Sequence, residues 1–457
     1  MNSPEQAIID LVCRARFDTL PEAAVAAAKC FITDTVAVGL SGSQVPFTSS
    51  LRTVAQQWGG AGQARIWSTG ESVPAPVAAM VNAYQIHNQE FDCLHEPAVV
   101  HAMATVLSSL IAWCEQHEQN GEPVDGKSLI VAVCVAVEVA SVLGAAAREP
   151  MRFFRPGVCG ALGAAMGIAV LAGFDEKRSK DLLGITYSQA GGTMQAHLEG
   201  SPTLPMQIAF NARNVLTAVD LVCAGLEGPH DVISGPFGFY ALFEIGADPA
   251  AAFADFGNTW QITRLSHKPF PTGRAAHGGL DGIARAQAAN GFAVEDIERI
   301  EVAAPPLILR LVDRPSSADM TANYAKLCMG YIAATWLLTG AVDVADFSPE
   351  KIADPRRQAL ASRLTMTAND CIDPNALAPQ SVVVTLTDGT VLREQLPSVL
   401  GSPERPLSDE QCTAKFRRCC ASAQPALTAP QIEQLHQQLQ QLEQLNSVSS
   451  LVDGMIA

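Results

Sequence analysis

The sequence has no run of basic residues and few aromatic side chains. Its 30 Lys and Arg are outnumbered by 46 Asp and Glu, which gives a formal net charge of −16. Without a basic patch, neither nucleic acid nor an anionic membrane is expected as a partner. Aromatic residues make up 6% of the chain, whereas hydrophobic residues as a group make up 48%. Because Ala, Leu and Val dominate that group, the composition favours a helix-rich protein.

The twelve cysteines include no CxxC pair and no other spacing typical of a metal site. Most lie in apolar runs, which predicts buried, reduced thiols and a cytoplasmic location. The first ten residues are polar and acidic, so we do not expect a signal peptide. The longest apolar stretch, residues 128–147, is interrupted by Glu138. It is interpreted as a buried helix rather than a membrane span.

At 457 residues the chain is too long for one ordinary hydrophobic core, and two domains are expected. Apolar residues recur with helical periodicity through most of the first 260 positions. The Gly-rich stretch 59–62 is interpreted as a turn between two of these helices. The predicted helices cover residues 4–41 in two segments, 48–58, 74–87, 103–114, 128–147, 157–171, 180–190 and 209–224.

After residue 260 the pattern changes to alternating strand and helix signals. Strands are predicted over residues 260–265, 297–302 and 381–386, and Asp388-Gly389 favours a hairpin after the last of these. Helices are predicted over residues 273–289, 323–338, 349–364, 408–418 and 429–445. The expected fold is therefore mainly α with an inserted α+β lid: a helical domain over residues 1–264, the lid over 265–399 and a helical return over 400–457.

Residues 82–101, N-A-Y-Q-I-H-N-Q-E-F-D-C-L-H-E-P-A-V-V-H, carry the densest set of ionisable groups. Three of the nine histidines in the chain lie here among three carboxylates. Imidazoles beside carboxylates are suited to proton transfer, because their surroundings can move their pKa values apart. A second basic group of residues follows at positions 267–277, and the scaffold is expected to bring the two together.

A metal site and a dinucleotide site fit these motifs less well. The histidines at 87, 95 and 101 are not spaced as an i, i+4 pair and match no standard metal site, so no metal is expected. Gly157, Gly160 and Gly163 follow no predicted strand. They therefore indicate close helix packing rather than a dinucleotide fingerprint.

The residues resemble those of the MmgE/PrpD family over nearly the whole chain. The resemblance rests on the 82–93 segment, on His101, on P-G-V-C-G-A-L-G at 156–163 and on H-K-P-F-P-T-G-R-A-A-H at 267–277. It extends to A-N-Y-A-K at 322–326 and K-F-R at 415–417. The family includes 2-methylcitrate dehydratase, cis-aconitate decarboxylase and iminodisuccinate epimerase. It implies a helical domain with an α+β lid, a site between them, no cofactor and a homodimer.

The chain departs from the family pattern at several positions. The usual D-F-D-D is E-F-D-C here, and Ala102 replaces the Pro that usually follows the histidine matching His101. Arg155 stands where lyases of the family tend to have a His, and L-P-M-Q at 204–207 stands where they tend to have a Lys. The residues kept are therefore nearest to those of the epimerase type.

On this resemblance the catalytic residues are expected to be His101, Asp92, Lys268 and His277. His101 is the candidate base, oriented by Asp92, and His277 is a second base beside the carboxylate-binding Lys268. Substrate binding is assigned to Arg155 and Arg274 as possible carboxylate clamps and to Glu90, His87 and His95. His197 and Tyr324 are candidates for the pocket wall, while His267 is expected to be structural.

Three functions remain open at this point. The first is a cofactor-free epimerase that inverts a carbon next to a carboxylate in an amino- or imino-linked polycarboxylate, with bases on two faces. The second is a lyase that removes water or CO2 from a related polycarboxylate, with Arg155 substituting for the missing groups. The third is a non-catalytic helical interaction module.

Overall fold

The computed structural model describes residues 3–59 and 62–457 of the chain. The turn predicted at 59–62 lies partly outside these residues, as do the first two residues of the predicted helical domain 1–264. The first half of the chain is helical. Its helices are α1 (Pro4–Arg14), α2 (Glu22–Gly42), α3 (Pro46–Trp58), α4 (Ala75–His87), α5 (Ala102–Glu118), α6 (Gly126–Ala145), α7 (Arg155–Leu171), α8 (Glu176–Gln189), α9 (Gln195–Glu199), α10 (Thr203–Cys223), α11 (Phe239–Leu242) and α12 (Pro249–Ala252).

These bounds confirm the helices predicted from periodicity. Among the described residues, strands in this half are limited to two-residue segments. They are β1 (Ala64–Arg65), paired with β2 (Ser72–Val73), and β3 (Leu94–His95), paired with β4 (Leu265–Ser266). The β3–β4 pair brings the two ionisable segments of the sequence side by side.

Close packing of α7 rests on its glycines, as predicted. A Cβ at Gly160 would lie 2.9 Å from Thr105 Oγ1 of α5, and one at Gly167 would lie 2.9 Å from the Ala132 carbonyl oxygen of α6. Among the described residues, two helices, α2 and α6, are long and apolar enough to cross a membrane. In their 18-residue apolar windows, 67% and 89% of the residues are buried within the protein, so their apolar side chains pack in the core.

The second half contains a four-stranded sheet in the order β6-β5-β7-β8, with β5–β6 parallel and the other pairs antiparallel. The hairpin predicted at Asp388-Gly389 joins β7 to β8. The elements are α13 (His277–Asn290), β5 (Ile297–Ala304), α14 (Pro306–Val312), α15 (Ala322–Ala325), α16 (Met329–Thr339), α17 (Pro349–Ile352), α18 (Pro355–Ala361), β6 (Leu364–Ala368), β7 (Gln380–Leu386), β8 (Val391–Leu396), α19 (Asp409–Ala421), α20 (Ala429–Gln440) and α21 (Ser449–Asp453).

Three predicted elements differ from the structure. The strand predicted at 260–265 is a 3-10 helix, Gln261–Arg264, followed by β4. It is turned by Glu138, whose carboxylate accepts backbone N–H groups from Gly257 and Gln261 at 2.9 and 2.6 Å. The Glu138 carboxylate thus accepts the N–H groups that the carbonyls of a neighbouring strand would otherwise accept.

The two long helices predicted at 323–338 and 349–364 are each broken. The first is interrupted at Lys326, whose carbonyl accepts a hydrogen bond from Gly273 N–H at 3.0 Å. The second is interrupted at Pro355, because proline lacks an N–H and disfavours helical backbone in the residue before it. Its last predicted residue, Leu364, instead begins β6, a strand that the sequence did not predict.

The buried apolar residues form two cores. One is built from α1 to α10 together with α19, α20 and α21, and the other from the sheet and helices between residues 275 and 396. The protein is therefore mainly α with a smaller α+β unit. The exact domain boundaries at 264/265 and 399/400 remain predictions.

Candidate active site

The candidate site is built on the connection between α4 and α5. His87 is the last residue of α4 and His101 precedes the first residue of α5, so the 13 intervening residues return the chain to nearly the same place. Two of those residues, Glu90 and Val99, have positive φ angles of 53° and 52°. Non-glycine residues rarely adopt this conformation, and the surrounding structure must hold them there.

Asp92 joins the two histidines through hydrogen bonds. His87 Nδ1 lies 3.1 and 3.0 Å from the two carboxylate oxygens, and His101 Nδ1 lies 3.2 Å from Oδ2. Asp92 is fully buried, and the imidazole centroids are 5.0 Å apart. Each Nδ1–H donates to the same carboxylate, which leaves both Nε2 atoms for other chemistry. His101 Nε2 has no hydrogen-bond partner among the described residues.

The surroundings move the pKa values of these two histidines in opposite directions. Burial lowers the pKa of His101, and the Lys268 ammonium lowers it further, while Asp92 offsets part of the effect. Burial also acts to lower the pKa of His87, but the Asp92 carboxylate and Glu90 outweigh it and raise that pKa. Near neutral pH, His101 is therefore suited to accept a proton and His87 to donate one.

Glu90 faces the same group from the other side. Its Oε2 accepts a hydrogen bond from Lys268 Nζ at 3.0 Å, and its Oε1 lies 3.7 Å from His87 Nε2. Burial alone would raise the pKa of Glu90, but Lys268 and the two histidines outweigh it and lower the pKa to about 2. Glu90 is thus a fixed anion beside the His87 ring.

Three buried lysines hold the backbone that carries Glu90. We name them the lysine clamp: Lys268, Lys326 and Lys415. Their Nζ atoms donate to the carbonyls of Glu90, Asn88 and Phe91 at 3.1, 2.9 and 3.0 Å. Lys415 also pairs with Asp34 at 2.7 Å. The lysines come from three distant parts of the chain, and together they fix the connection in its strained conformation.

His87 and His101 line a cavity. Its empty space is about 570 Å³ when the open solvent at its mouth is included. The polar side chains at its wall are those of His87, Glu90, His101, His197 and Arg274. The remaining wall is apolar or glycine: Leu94, Val99, Met151, Phe154, Pro156, Met194, Leu204, Gly273, Ala275, Leu311, Val312, Leu327 and Leu377. It lies between the helical core and the α+β unit, which supplies Leu311, Val312 and Leu377.

The structure brings only some of the predicted site residues to this cavity. His277 is buried outside the wall, with Nε2 2.9 Å from Thr272 Oγ1. Lys268 likewise lies behind the wall and is neutralised by Glu90. His95 Nε2 bonds to Gln261 Oε1 at 2.9 Å, and its Nδ1 accepts the Ala98 N–H, so it supports β3 rather than the cavity.

The two predicted arginine clamps are engaged by the protein itself. Arg274 reaches the wall, but its Nε and Nη2 bind Glu96 Oε1 at 3.0 and 2.7 Å and its other contacts are backbone carbonyls. Arg155 is fully buried next to the wall. It binds Glu244 Oε1 at 2.5 Å and the Ala98 carbonyl at 3.0 Å, and its Nη2 has no partner among the described residues.

His197 does line the cavity, as anticipated. Arg314 donates to its Nδ1 at 2.9 Å, and burial together with that arginine lowers the pKa of His197 to about 4. Tyr324 is not in the wall; its ring lies under the Arg314 guanidinium, 5.1 Å away. His197 is therefore a neutral polar group in the wall of the same cavity.

The roles of Lys326 and Lys415 in the clamp were missed from the sequence. Both sit beside apolar residues, in A-K-L-C-M and A-K-F. A lysine beside apolar residues is expected to be buried and must then have a polar partner, and this pattern was the signal in the sequence. His87, Asp92 and His101 also form a compact set of metal-type ligands. Their short Nδ1–carboxylate distances are accounted for by direct hydrogen bonds.

Comparison with known proteins places the chain in a family of enzymes. The model of the MmgE/PrpD N-terminal domain matches residues 6–252, and that of the MmgE/PrpD C-terminal domain matches residues 270–441. Cis-aconitate decarboxylase of Homo sapiens is 27% identical over 433 residues, 91% of this chain and 87% of its own length. The Aspergillus terreus enzyme of the same name is 24% identical and covers 92% and 89%. 2-Methylcitrate dehydratase of Cupriavidus necator is 30% identical over 157 residues, 32% of each chain.

Proposed function

The chain belongs to the MmgE/PrpD family, and on that premise we propose that it is a cofactor-free lyase acting on a small polycarboxylate. One observation carries the proposal: the buried Asp92 that holds His87 and His101 with oppositely shifted pKa values at the wall of one cavity. The relatives named above are decarboxylases and a dehydratase, which supports a lyase better than the epimerase first favoured by the residues.

The pair can remove water from a hydroxy acid. Neutral His101 takes the proton from the carbon next to a carboxylate through Nε2, and the electron pair of that C–H bond forms the new double bond. The C–O bond of the neighbouring carbon breaks, and the leaving hydroxide takes a proton from His87. A centroid separation of 5.0 Å on one side of the cavity is suited to groups on adjacent carbons.

The same pair can assist loss of CO2 from an unsaturated polycarboxylate. The C–C bond to the departing carboxylate breaks, and its electron pair forms a new double bond. The pair of the old double bond moves to the carbon beside a remaining carboxylate, and that carbon takes a proton from His87. The His87 imidazolium lowers the energy of the negative charge that develops there.

The geometry does not favour a two-base epimerase. Such an enzyme needs proton acceptors on opposite faces of one carbon. His101 lines the cavity, whereas His277 does not and is bound to Thr272. His197 lines the same cavity, but its lowered pKa makes it a poor base. The epimerase is therefore not proposed.

The wall of the cavity supports a substrate with an apolar part. Leu204, Met151, Val99 and Met194 line it, and the arginine that reaches it is already paired with Glu96. Citrate-like acids that carry an alkyl group are expected to bind better than unsubstituted ones, because the alkyl group would bury apolar surface. A homodimer and a cytoplasmic location also remain predictions.

The test follows two reactions with purified protein. cis-Aconitate is monitored for released CO2, with His87→Ala as the inactive reference. 2-Methylcitrate is monitored for the ultraviolet absorbance of a new double bond, with His101→Ala as the inactive reference. Turnover of either substrate that its reference variant loses is the expected result. Absence of both reactions at saturating substrate would overturn the lyase. Exchange in deuterated water with loss of optical rotation, and no loss of water or CO2, would overturn it in favour of an epimerase.

A further inference from the structure

A second cluster of ligand-type side chains lies outside the cavity, in a separate surface groove. Cys30 of α2, Cys412 of α19 and His267, the residue after β4, place their Sγ and imidazole nitrogen atoms within 4.8 Å of one another. The groove that they line shares no wall residue with the cavity. The three residues are separated by more than 140 positions in sequence, so only the fold brings them together.

The spacing of one pair of these atoms, Cys30 Sγ and His267 Nε2, matches tetrahedral coordination. With metal–sulfur and metal–nitrogen bonds of about 2.3 and 2.0–2.1 Å, a tetrahedral angle separates the S and N ligand atoms by about 3.6 Å. Cys30 Sγ and His267 Nε2 lie 3.6 Å apart. Two thiolates and an imidazole are a donor set that favours Zn²⁺ over Mg²⁺ or Ca²⁺.

The ligands are held in place before any ion arrives. The His267 ring stacks on Phe31 with centroids 4.4 Å apart, and its backbone N–H donates to the Gly401 carbonyl at 2.9 Å. Cys30 and Cys412 are both on helices of the helical core. A site whose ligands are already ordered loses little conformational entropy when it binds a metal.

The groove has the charge and an additional acceptor that a cation needs. Asp34, one helical turn after Cys30 on α2, is 7% exposed; its Oδ1 pairs with Lys415, but its Oδ2 has no partner among the described residues. Asp409 and Glu22 line the same groove. A water in the fourth metal position could donate a hydrogen bond to Asp34 Oδ2, as outer carboxylates do in other zinc sites.

We propose that Cys30, His267 and Cys412 form a zinc site. The bound ion joins helix α19 to helix α2 and to the backbone immediately before Lys268. Binding replaces the two thiol protons, which pass to solvent, with two metal–thiolate bonds. No oxidation is involved. Because Lys268 follows His267 directly, the ion also restrains the backbone of one member of the lysine clamp.

The experiment uses Co²⁺ as a spectroscopic probe in the full-length protein, kept reduced and first stripped with a chelator. We expect one Co²⁺ per chain, with thiolate charge-transfer bands in the near ultraviolet and intense tetrahedral bands in the visible, and displacement by Zn²⁺. Cys412→Ser should weaken the charge-transfer band, because one of the two thiolates is lost, and weaken Zn²⁺ binding by more than the roughly 10–100-fold that loss of an outer partner costs. Cys13→Ser, at an exposed thiol elsewhere, should bind as wild type does.

A measurement on the unmodified protein guards against a variant that fails to fold. Zn²⁺ should protect Cys30 and Cys412 from alkylation, as mapped by mass spectrometry, while exposed Cys13 and Cys223 react equally with and without the ion. Binding of Co²⁺ without thiolate bands, binding unchanged in Cys412→Ser, or equal alkylation of Cys30 and Cys412 with and without Zn²⁺ would each overturn the site.

Discussion

His87 and His101 share Asp92, yet their surroundings move their pKa values in opposite directions. Both imidazoles bind Asp92 through Nδ1, but Glu90 helps to raise the pKa of His87, whereas the Lys268 ammonium is the largest charge effect on His101 and lowers its pKa. The difference between acid and base therefore arises from the surrounding charges rather than from the residue type. This is the usual way in which one protein carries out acid and base chemistry at a single pH.

We predict that His101→Ala lowers the rate of the lyase reaction by about 10²–10⁴-fold, the usual contribution of one general acid or base. His101 presents Nε2 to the cavity, and alanine leaves nothing there to take the proton. The rate is measured for loss of water from 2-methylcitrate, the reaction in which His101 takes a proton. His230→Ala, at an exposed histidine distant from the cavity, is the matched control and should keep the wild-type rate.

The pH dependence of kcat/KM should be bell-shaped around 6.5, the ordinary pKa of histidine. The base His101 must be neutral, and its pKa is lowered, so activity rises at a pH below 6.5. The acid His87 must be protonated, and its pKa is raised, so activity falls at a pH above 6.5. In Asp92→Asn the falling limb should move to lower pH, because His87 loses the carboxylate that raised its pKa. An alkaline limb unchanged in Asp92→Asn would contradict the assignment of His87 as the acid.

At the scale of elements, the connection between α4 and α5 is held by buried ions as well as by apolar packing. The lysine clamp binds the carbonyls of Asn88, Glu90 and Phe91, and the Glu90 carboxylate completes the arrangement. A buried pair is costly to break, because the remaining charge is left without water or partner.

We therefore predict that Lys268→Met destabilises the protein by about 3–5 kcal/mol, the cost of breaking a buried pair. Urea unfolding followed by circular dichroism measures it at neutral pH. Glu90→Gln combined with Lys268→Met should recover part of the loss, since no buried charge is then left alone. Lys177→Met, at a lysine on the surface of α8, should leave the urea midpoint nearly unchanged. Equal losses in the single and double variants would contradict this account.

The same pair predicts acid sensitivity. The pKa of Glu90 is about 2 in the folded protein and 4.5 in the absence of its partners, so folding favours the charged form. Its contribution is complete above pH 4.5 and is lost as the pH falls toward 2. Wild-type stability should decline more steeply over this interval than that of Glu90→Gln, as measured by urea unfolding at each pH. Parallel declines would indicate that other carboxylates dominate.

Elements with a local cause were predictable from the sequence, and those with a distant cause were not. Helices α2, α6 and α7 were predictable because their apolar residues recur with helical periodicity. The hairpin turn was predictable from its own residues, Asp388-Gly389. The 3-10 turn at 261–264 depends on a carboxylate more than 120 positions earlier. The break at Lys326 depends on Gly273, to which no local pattern points.

The candidate site shows the same division. The concentration of His87, Asp92 and His101 in one short segment was visible, and the structure joins these side chains directly. The segment 267–277 was also expected nearby, and β4 does pair with β3. Which of its side chains would reach the cavity depends on rotations of single residues, and His277 is held away from the cavity by Thr272. That detail is tertiary and has no local signal.

On the scale of the whole molecule, the cavity lies where two separately packed cores meet. Arg155 of α7 connects them: it pairs with Glu244 in the helical part and donates to Asn375 Oδ1, at 3.3 Å, in the α+β part. Its position therefore explains its burial without a role as a substrate clamp.

We predict that Arg155→Met lowers stability by about 3–5 kcal/mol, because Glu244 is then buried without its partner. Urea unfolding measures the change in the free energy of unfolding, and differential scanning calorimetry measures the change in melting temperature. Arg155→Met combined with Glu244→Gln should regain part of it. Arg148→Met, which breaks a half-exposed pair with Asp248, serves as the control and should cost at most about 1 kcal/mol. A strong rise in KM with unchanged stability would instead make Arg155 a substrate ligand.

The lysine clamp also has a consequence for biosynthesis. Ribosomes produce the chain from its N-terminus, so the histidine pair and its connection emerge long before Lys326, and Lys415 emerges last of the three lysines. Until then the Phe91 carbonyl and the Asp34 carboxylate lack the ammonium that binds both of them in the folded protein. Nascent chains halted before α19 should hence bury their helices yet lack an ordered cavity, and catalytic competence should appear abruptly, in step with the arrival of the last helices.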